Sequence, residues 1–375
     1  MPSSDVATIS RRLRTMDLSR LRMVLGGLPT VLKYLVIFVF LLNIRSWPLG
    51  WHIRIWRPAV WLRVRHWFIN LRSSIYSKDK SQKIEDKWFE SVAQLGGNPL
   101  DFTSHYKTWA SVDESDFNGH LSNSSYPKTL DAARFKAAIE MFPMLFRETG
   151  WIPLAGTHFH FIREIPILAS YEVRSRIAAW DSKWFYIIHR FVSKPKKGGP
   201  PKKRIEQAPH PTVLPSLRTV SGPEEISANG TPFDSTPETS TKATLKSVSN
   251  LIAAEEPDGA TLHTIAVSHL CFKVGRITIP PSIVFAFNGL TGHESGSNPP
   301  PHWDKVRELT AKEAGGSRKK MAEFLKGGWR NVPECERWWE QAFADIAERN
   351  AANLKEVEQL KKGIEGARQV GVHTA

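Results

Sequence analysis

The sequence predicts an α+β protein whose folded part combines one long helix with an antiparallel sheet. Leu121 to Thr149 carries apolar residues at helical spacing, and three runs with strand-like alternation follow it. The turn at 179–183 joins the last two runs as a hairpin, which indicates antiparallel pairing. An apolar N-terminal segment and a helical C-terminal tail flank this unit.

Composition and charge limit the classes of protein that the chain can belong to. Its 375 residues are 41% hydrophobic and 23% charged, which excludes a wholly disordered or fibrous protein. Two cysteines cannot form a disulfide framework, and no Cys/His cluster suggests a metal site. We therefore expect neither a metal nor a cofactor. Residues 1–80 hold +11 of the net charge of +14, around a hydrophobic segment, which favours a membrane surface over nucleic acid.

The N-terminal part predicts membrane attachment. After a basic stretch at 1–22, residues 23–45 form a transmembrane or membrane-anchor segment, because 22 residues from Met23 to Ile44 include 16 apolar ones. Lys33 disfavours a full span by roughly 2.5–3.5 kcal/mol, so a segment that enters and leaves by one face is the alternative. The Trp/Arg-rich segment 46–84 is expected at lipid headgroups. We expect a single-pass membrane protein with a cytosolic domain, and a mitochondrial presequence is the alternative.

The remainder divides into a folded domain at 85–290 and a helical tail at 291–375. Within the domain, residues 194–260 hold ten of the 25 prolines, and Phe233 is their only aromatic residue. Such a segment cannot bury enough apolar surface to fold alone, so we expect a disordered insertion. Strand-like alternation returns at 261–274.

One segment combines residue types that carry chemistry. An acid, an amide and an imidazole stand at positions i, i+2 and i+4 just before the predicted helix, as Asp116, Asn118 and His120. Gly119 lets the backbone turn, and Ser122 or Asn123 can cap the helix. A helix N-terminus can polarise a carbonyl while a carboxylate attacks it or activates water. The alternative is a loop that only caps the helix.

This segment resembles the active-site segment of hot-dog-fold acyl thioesterases, in which an acid precedes a tyrosine by ten residues on the central helix. Asp116 and Tyr126 have that spacing. The Asp-x-Asn-x-His element is similar to the catalytic element of plant acyl-carrier-protein thioesterases. The run His-Leu-Ser-Asn-Ser-Ser-Tyr at 120–126, with an N-terminal hydrophobic segment, is similar to fungal thioesterase-like proteins, some from secondary-metabolite clusters, and to thioesterase superfamily member 6.

The resemblance implies a hot-dog fold, in which an antiparallel sheet wraps one long helix, and an edge-to-edge homodimer. It implies hydrolysis of acyl-CoA or carrier-protein-bound acyl chains, in fungal lipid or secondary metabolism. Asp116 would be nucleophile or general base, and Asn118 and His120 would orient water or substrate. The substrate-binding set would be Gly119, Asn123 and Tyr126, with the backbone N–H near Asn123 holding the thioester oxygen. The insertion at 194–260 departs from the family pattern.

Two other functions stay open at this stage. A non-catalytic hot-dog protein could bind acyl groups or act as a scaffold at a membrane, and only turnover separates it from a hydrolase. A basic RNA-associated membrane protein is disfavoured, because the chain after residue 80 is nearly neutral.

Overall fold

The computed structural model describes residues 29–147, 150–194, 256, 258–293 and 298–367, and a seven-stranded antiparallel sheet lies at its centre. The strands are β1 (Thr103–Trp109), β2 (Gly150–Trp151), β3 (Leu154–Phe161), β4 (Ser170–Trp180), β5 (Trp184–Ser193), β6 (Thr261–Val274) and β7 (Ile277–Ile279). The sheet order is β1-β4-β5-β6-β2, and both β3 and β7 also pair with β6. The predicted basic stretch at 1–22 and nearly all of the predicted insertion lie outside the described residues.

Helices surround this sheet. They are α1 (Thr30–Leu42), α2 (Gly50–Ser73), α3 (Lys78–Val92), α4 (Ser125–Met141), α5 (Pro143–Arg147), α6 (Pro281–Phe287), α7 (Trp303–Thr310), α8 (Arg318–Leu325), α9 (Trp338–Gln341) and α10 (Ala347–Ala367). The central helix α4 packs Leu130 and Ala133 against Val173 and Phe191 on one face of the sheet, which we call the inner face. A long helix held against a curled antiparallel sheet is the hot-dog fold, so the predicted fold is confirmed.

Local sequence explains where the main elements end. The predicted helix at 121–149 is shorter in the structure, because Pro143 has no N–H to continue α4 and instead starts the short α5. In the predicted hairpin turn, Asp181 Oδ1 accepts hydrogen bonds from the N–H groups of Lys183 and Trp184, both at 2.6 Å. After β7, Pro281 begins the short helix α6, because proline suits the first position of a helix.

The N-terminal apolar segment differs from its prediction. Helix α1 has 13 residues, which is roughly 20 Å at 1.5 Å per residue, and the chain then turns through a short 3₁₀ helix at Ile44–Ser46. Within the residues described, no helix has both the length and the apolar content needed to cross a membrane. The prediction of a single-pass membrane protein is therefore wrong.

Helix α2 contains the Trp/Arg-rich sequence and crosses the central helix. It buries Ile55 among the residues of the inner core, and the ring centroid of Trp56 lies 6.1 Å from that of Phe135 on α4. Its other tryptophans, Trp51, Trp61 and Trp67, are exposed. The expected contact of 46–84 with lipid headgroups stays a prediction.

The C-terminal helix α10 closes one end of the sheet. Strand β4 has a bulge at Ala178, since Ile177 and Ala179 oppose consecutive residues of β5. Asn350 both accepts a hydrogen bond from the N–H of Trp180 and donates one to its carbonyl, each at 2.9 Å. Asn353 donates to the carbonyl of Ala178 at 2.8 Å. Side chains of α10 thus satisfy backbone groups of β4 beyond Arg176, where the pairing with β1 ends.

A row of polar side chains crosses the inner face between two apolar clusters. From β1 to β3 across five strands the row is Ser104, Ser175, His189, Ser268 and Thr157. His189 contacts Ser175 Oγ through Nδ1 at 2.8 Å and Ser268 Oγ through Nε2 at 3.1 Å. Arg134 on α4 donates to Ser268 and Thr157, so the helix is tied to the row.

His189 is fully buried in this row. Burial, and secondarily the positive charge of Arg134, hold its pKa well below the ordinary value of 6.5. Above about pH 6.5 the imidazole is neutral in both the folded and the unfolded chain. Below that pH the unfolded chain binds a proton that the folded chain does not, so His189 makes folding less favourable as the pH falls.

We predict that the stability cost of His189→Gln depends on pH. At pH 7.5 the variant should be less stable than wild type, because it loses hydrogen bonds to Ser175 and Ser268. Below pH 6.5 the difference should shrink by up to about 1.4 kcal/mol per pH unit. Urea unfolding at pH 7.5, 6.5 and 5.5 measures it. Ser175→Ala is the control, since it keeps the imidazole and should retain the pH dependence of wild type.

Candidate functional site

The loop before α4 brings the three predicted catalytic residues together. Asp116 Oδ1 accepts hydrogen bonds from the backbone N–H groups of Asn118 at 2.9 Å and His120 at 3.3 Å. The backbone N–H of Asp116 donates to the carbonyl of His120 at 2.8 Å, and a bridge between Ser115 and Leu121 closes the loop. One oxygen of Asp116 therefore holds the loop in shape.

Gly119 supplies the turn that this loop needs. Its φ is +76°, a left-handed conformation that favours glycine. Its N–H donates to the carbonyl of Asp116 at 3.1 Å, and its carbonyl accepts from the N–H of Ile167 at 2.8 Å. Gly119 thus shapes the loop and fastens it to the segment between β3 and β4.

The loop presents its side chains to solvent. Asp116 and Asn118 are exposed, and Phe117 between them is 99% exposed. Within the described part of the chain, no group bonds to Asp116 Oδ2. That oxygen is free to act as a base or nucleophile toward a molecule at the surface.

His120 faces a carboxylate that the sequence did not single out. Its Nδ1 lies 3.1 Å from Glu164 Oε2, in the segment after β3, and the two side chains are 32% and 73% exposed. The backbone of His120 also bridges to Pro166. This neighbour lies 44 positions along the chain, so no local pattern could have revealed it.

The start of α4 separates the predicted substrate-binding residues. Asn123 is exposed, and the residue before the helix is Ser124, whose side chain makes no capping bond. The expected side-chain cap from Ser122 or Asn123 is therefore absent from the described helix start, where the carbonyl of Ser122 accepts from the N–H of Ser125.

Tyr126 lies in the core rather than in the loop. It is 2% exposed, and its ring centroid is 5.1 Å from those of both Phe161 and Phe191. Burial raises the pKa of its hydroxyl. The tyrosine at the predicted spacing thus packs the helix onto the sheet, below the loop that carries Asp116.

Glu114, at the base of the loop, is a residue whose role the sequence did not reveal. Its side chain is completely buried among three cations, with Arg54 Nη1 at 2.9 Å, Lys128 Nζ at 3.3 Å and Arg45 Nη1 at 3.4 Å. Its backbone carbonyl accepts from Ser122 N at 2.9 Å and Ser125 Oγ at 2.8 Å. The carboxylate joins α2 and α4, and the carbonyl holds the start of α4 against the loop.

The neighbouring Asp113 strengthens the same junction. Burial opposes its ionisation, but hydrogen bonds from Ser111 and Ser46 outweigh burial and lower its pKa. Arg45 also reaches β1, where it donates to Thr108 Oγ1 at 2.8 Å and to the carbonyl of Trp109. The turn after α1 is therefore anchored beside the candidate site.

Among the described ranges, no three His, Cys, Asp or Glu side chains are grouped so that they could hold a metal ion. The groups that the candidate site offers to a substrate are thus carboxylates, an amide, an imidazole and backbone N–H groups.

Comparison with known proteins matches this part of the chain to a family. Residues 109–219 match the family model described as the thioesterase-like superfamily, and that segment includes the whole candidate loop. The predicted resemblance to hot-dog thioesterases is therefore confirmed over this segment.

Three curated relatives are similar to the chain. A probable thioesterase of Saccharomyces cerevisiae is 36% identical over 28% of this chain and 48% of its own length. A thioesterase of Purpureocillium lilacinum is 29% identical over 45% of this chain and 61% of its own. Protein THEM6 of Danio rerio is 32% identical over 22% of this chain and 42% of its own. The chain spans about half the length of these relatives.

We predict that Glu114→Gln destabilises the fold strongly. The variant leaves Arg45, Arg54 and Lys128 around a neutral group, and removing one partner of a buried ion pair costs about 3–5 kcal/mol. Urea unfolding measures the loss. Glu164→Gln is the matched control, because that carboxylate is 73% exposed and should change stability by less than about 1 kcal/mol. Equal effects of the two substitutions would contradict the role given to Glu114.

Proposed function

We propose that this chain, whose residues 109–219 match the thioesterase-like superfamily, hydrolyses acyl thioesters. The observation that carries the proposal is the loop at the start of the central hot-dog helix, where Asp116, Asn118 and His120 are held together by one carboxylate oxygen. The other oxygen of Asp116 faces solvent, where a substrate can reach it. Two relatives that are named thioesterases and the match to the thioesterase-like superfamily support the same activity.

The chemistry that we propose centres on Asp116 Oδ2. Either this oxygen attacks the thioester carbonyl and expels the thiolate, or it takes a proton from a water that attacks. Asn118 and His120 orient the water or the substrate, and the carboxylate of Glu164 lies 3.1 Å from His120 Nδ1. A backbone N–H near Asn123, before α4, stabilises the negative charge on the thioester oxygen.

Acyl-CoA or an acyl chain on a carrier protein is the substrate class that we propose. Both carry the acyl group on a phosphopantetheine thiol, and the excess charge of +11 in residues 1–80 attracts their phosphates. If the wild-type protein binds such substrates without turnover, the chain is an acyl-binding protein instead. A hydrolysis screen of the full chain against acyl-CoAs of different chain length separates the two.

We also propose a homodimer through the free edge of β3. Strand β3 pairs with β6 on one side, and no strand in the described part of the chain covers its other side. Leu154 and Phe161 at its two ends are each 45% exposed. An unpaired strand edge with exposed apolar residues is a template for a second strand.

The Asp116→Asn variant should lose most of its acyl-CoA hydrolysis. The amide keeps an oxygen that can accept from Asn118 N and His120 N, so the loop should survive, but the amide is neither a base nor a nucleophile. We expect kcat/KM to fall by about 10²–10⁴ with an unchanged unfolding midpoint. Turnover at the wild-type rate would remove Asp116 from the mechanism.

Asp131→Asn is the matched control for that experiment. Asp131 is 41% exposed and pairs with Arg134, which belongs to the polar row rather than to the loop. We expect the free energy of unfolding to fall by about 1 kcal/mol or less, because solvent screens this partly exposed ion pair. Activity per folded molecule should stay near wild type. Thermal unfolding and active-site titration give the two readouts.

If two chains pair through β3, negative charges introduced on this strand should separate them. The double substitution His158→Glu and His160→Glu places like charges on facing strands and should shift the protein from dimer to monomer in light scattering. Both histidines are exposed, so folding should persist. Arg176→Glu, at an exposed position of β4, makes the same formal charge change and should leave the dimer intact. A wild-type monomer at micromolar concentration would refute the proposal.

A further inference from the structure

A serine–histidine pair lies at the end of β5, apart from the loop that carries Asp116. Ser193 Oγ is 2.8 Å from His263 Nε2 on β6. On the other side of the ring, His263 Nδ1 is 2.9 Å from the backbone carbonyl oxygen of Glu164. The three groups stand in the order hydroxyl, imidazole, acceptor.

The carbonyl decides which ring nitrogen carries the proton. A carbonyl oxygen only accepts, so Nδ1 of the neutral ring holds the hydrogen and donates it to Glu164. Nε2 then has a free lone pair, and the hydroxyl of Ser193 donates to it. A hydroxyl that donates to an imidazole whose far side is oriented by an acceptor is an activated nucleophile.

A bulge in β6 gives His263 its position. Phe191 and Val192 of β5 oppose Thr264 and Leu262, so His263 is the extra residue between them. Bulges often redirect a side chain out of the regular alternation. His263 is 6% exposed, so the surrounding residues hold the ring, whereas Ser193 is partly exposed at the end of its strand.

A second serine–histidine pair in the same sheet can be compared with this one. Ser175 and His189 are also 2.8 Å apart, but both are almost fully buried, and Ser268 occupies the second nitrogen of that ring. A reagent in solution cannot reach Ser175 without unfolding. Their hydroxyl-to-imidazole distances are equal, so the two pairs differ in access and in the group at the second ring nitrogen.

We propose that Ser193 is a nucleophile, activated by His263, that accepts an acyl group from an activated acyl donor. Ser193 Oγ forms a bond to the acyl carbonyl carbon and gives its proton to His263 Nε2. The bond from that carbon to the leaving group breaks, and the leaving group takes the proton from His263. Water then cleaves the ester, again with His263 as base, and regenerates Ser193.

This activity goes beyond the proposed hydrolysis by Asp116, and it does not depend on it. Glu164 nevertheless places the two sets of groups side by side, because its carbonyl orients His263 and its carboxylate lies 3.1 Å from His120. The loop and the serine–histidine pair therefore share Glu164 as a neighbour.

A fluorophosphonate probe tests the proposal on the full chain. Oγ attacks phosphorus, fluoride leaves, and the adduct is stable to mass spectrometry of the digested protein. We expect Ser193 in wild type to be labelled stoichiometrically, while Ser175 stays unmodified. Ser193→Ala should abolish that adduct, and His263→Gln should slow labelling by about 10²–10⁴.

The labelling site in the unsubstituted protein decides the proposal even if His263→Gln folds poorly. Modification of Ser193 no faster than that of the exposed Ser74 would overturn it, as would an unchanged rate in a folded His263→Gln variant. Labelling of Ser193 in a protein that hydrolyses no thioester would refute the Asp116 hydrolase and leave this inference standing.

Discussion

The burial of one carboxylate governs how the parts of this protein fit together. Glu114 has no contact with water, and an isolated ionised group in that position would be prohibitively costly. Arg45, Arg54 and Lys128 must therefore surround it, and they come from the turn after α1, from α2 and from the central helix. The candidate loop begins at the next residue. The N-terminal helices and the hot-dog domain therefore set the position of this loop together.

A similar constraint acts within the helix–sheet interface. The inner face has a largely aromatic cluster at one end and a second apolar cluster at the other. The polar row lies between them. Shifting a strand by one residue would turn its inner side chains outward. Such a shift in β5 would separate His189 from Ser175 and Ser268 and leave buried polar atoms without partners. The row thus specifies the register of the sheet, while the apolar clusters supply most of the burial.

Local signals in the sequence predicted elements well and distant contacts poorly. The bounds of β6 and the turn at Asp181 were predicted correctly, because alternation and side-chain-to-backbone bonds act within a few residues. The loop around Asp116 was predicted for the same reason. The burial of Tyr126 was not predicted, since spacing along a helix does not say which side meets the sheet, and its contact with substrate stays a prediction. Glu114 was missed because Arg54, its nearest cation, lies 60 positions earlier.

The contact between α10 and the bulge of β4 bears on how the chain matures during synthesis. Asn350 and Asn353 bond to backbone groups of Trp180 and Ala178, which are translated 170 and 175 residues earlier. Until they emerge from the ribosome, the sheet holds carbonyl and N–H groups that only water can satisfy. A nascent chain halted before residue 350 therefore keeps these backbone groups of β4 in contact with water.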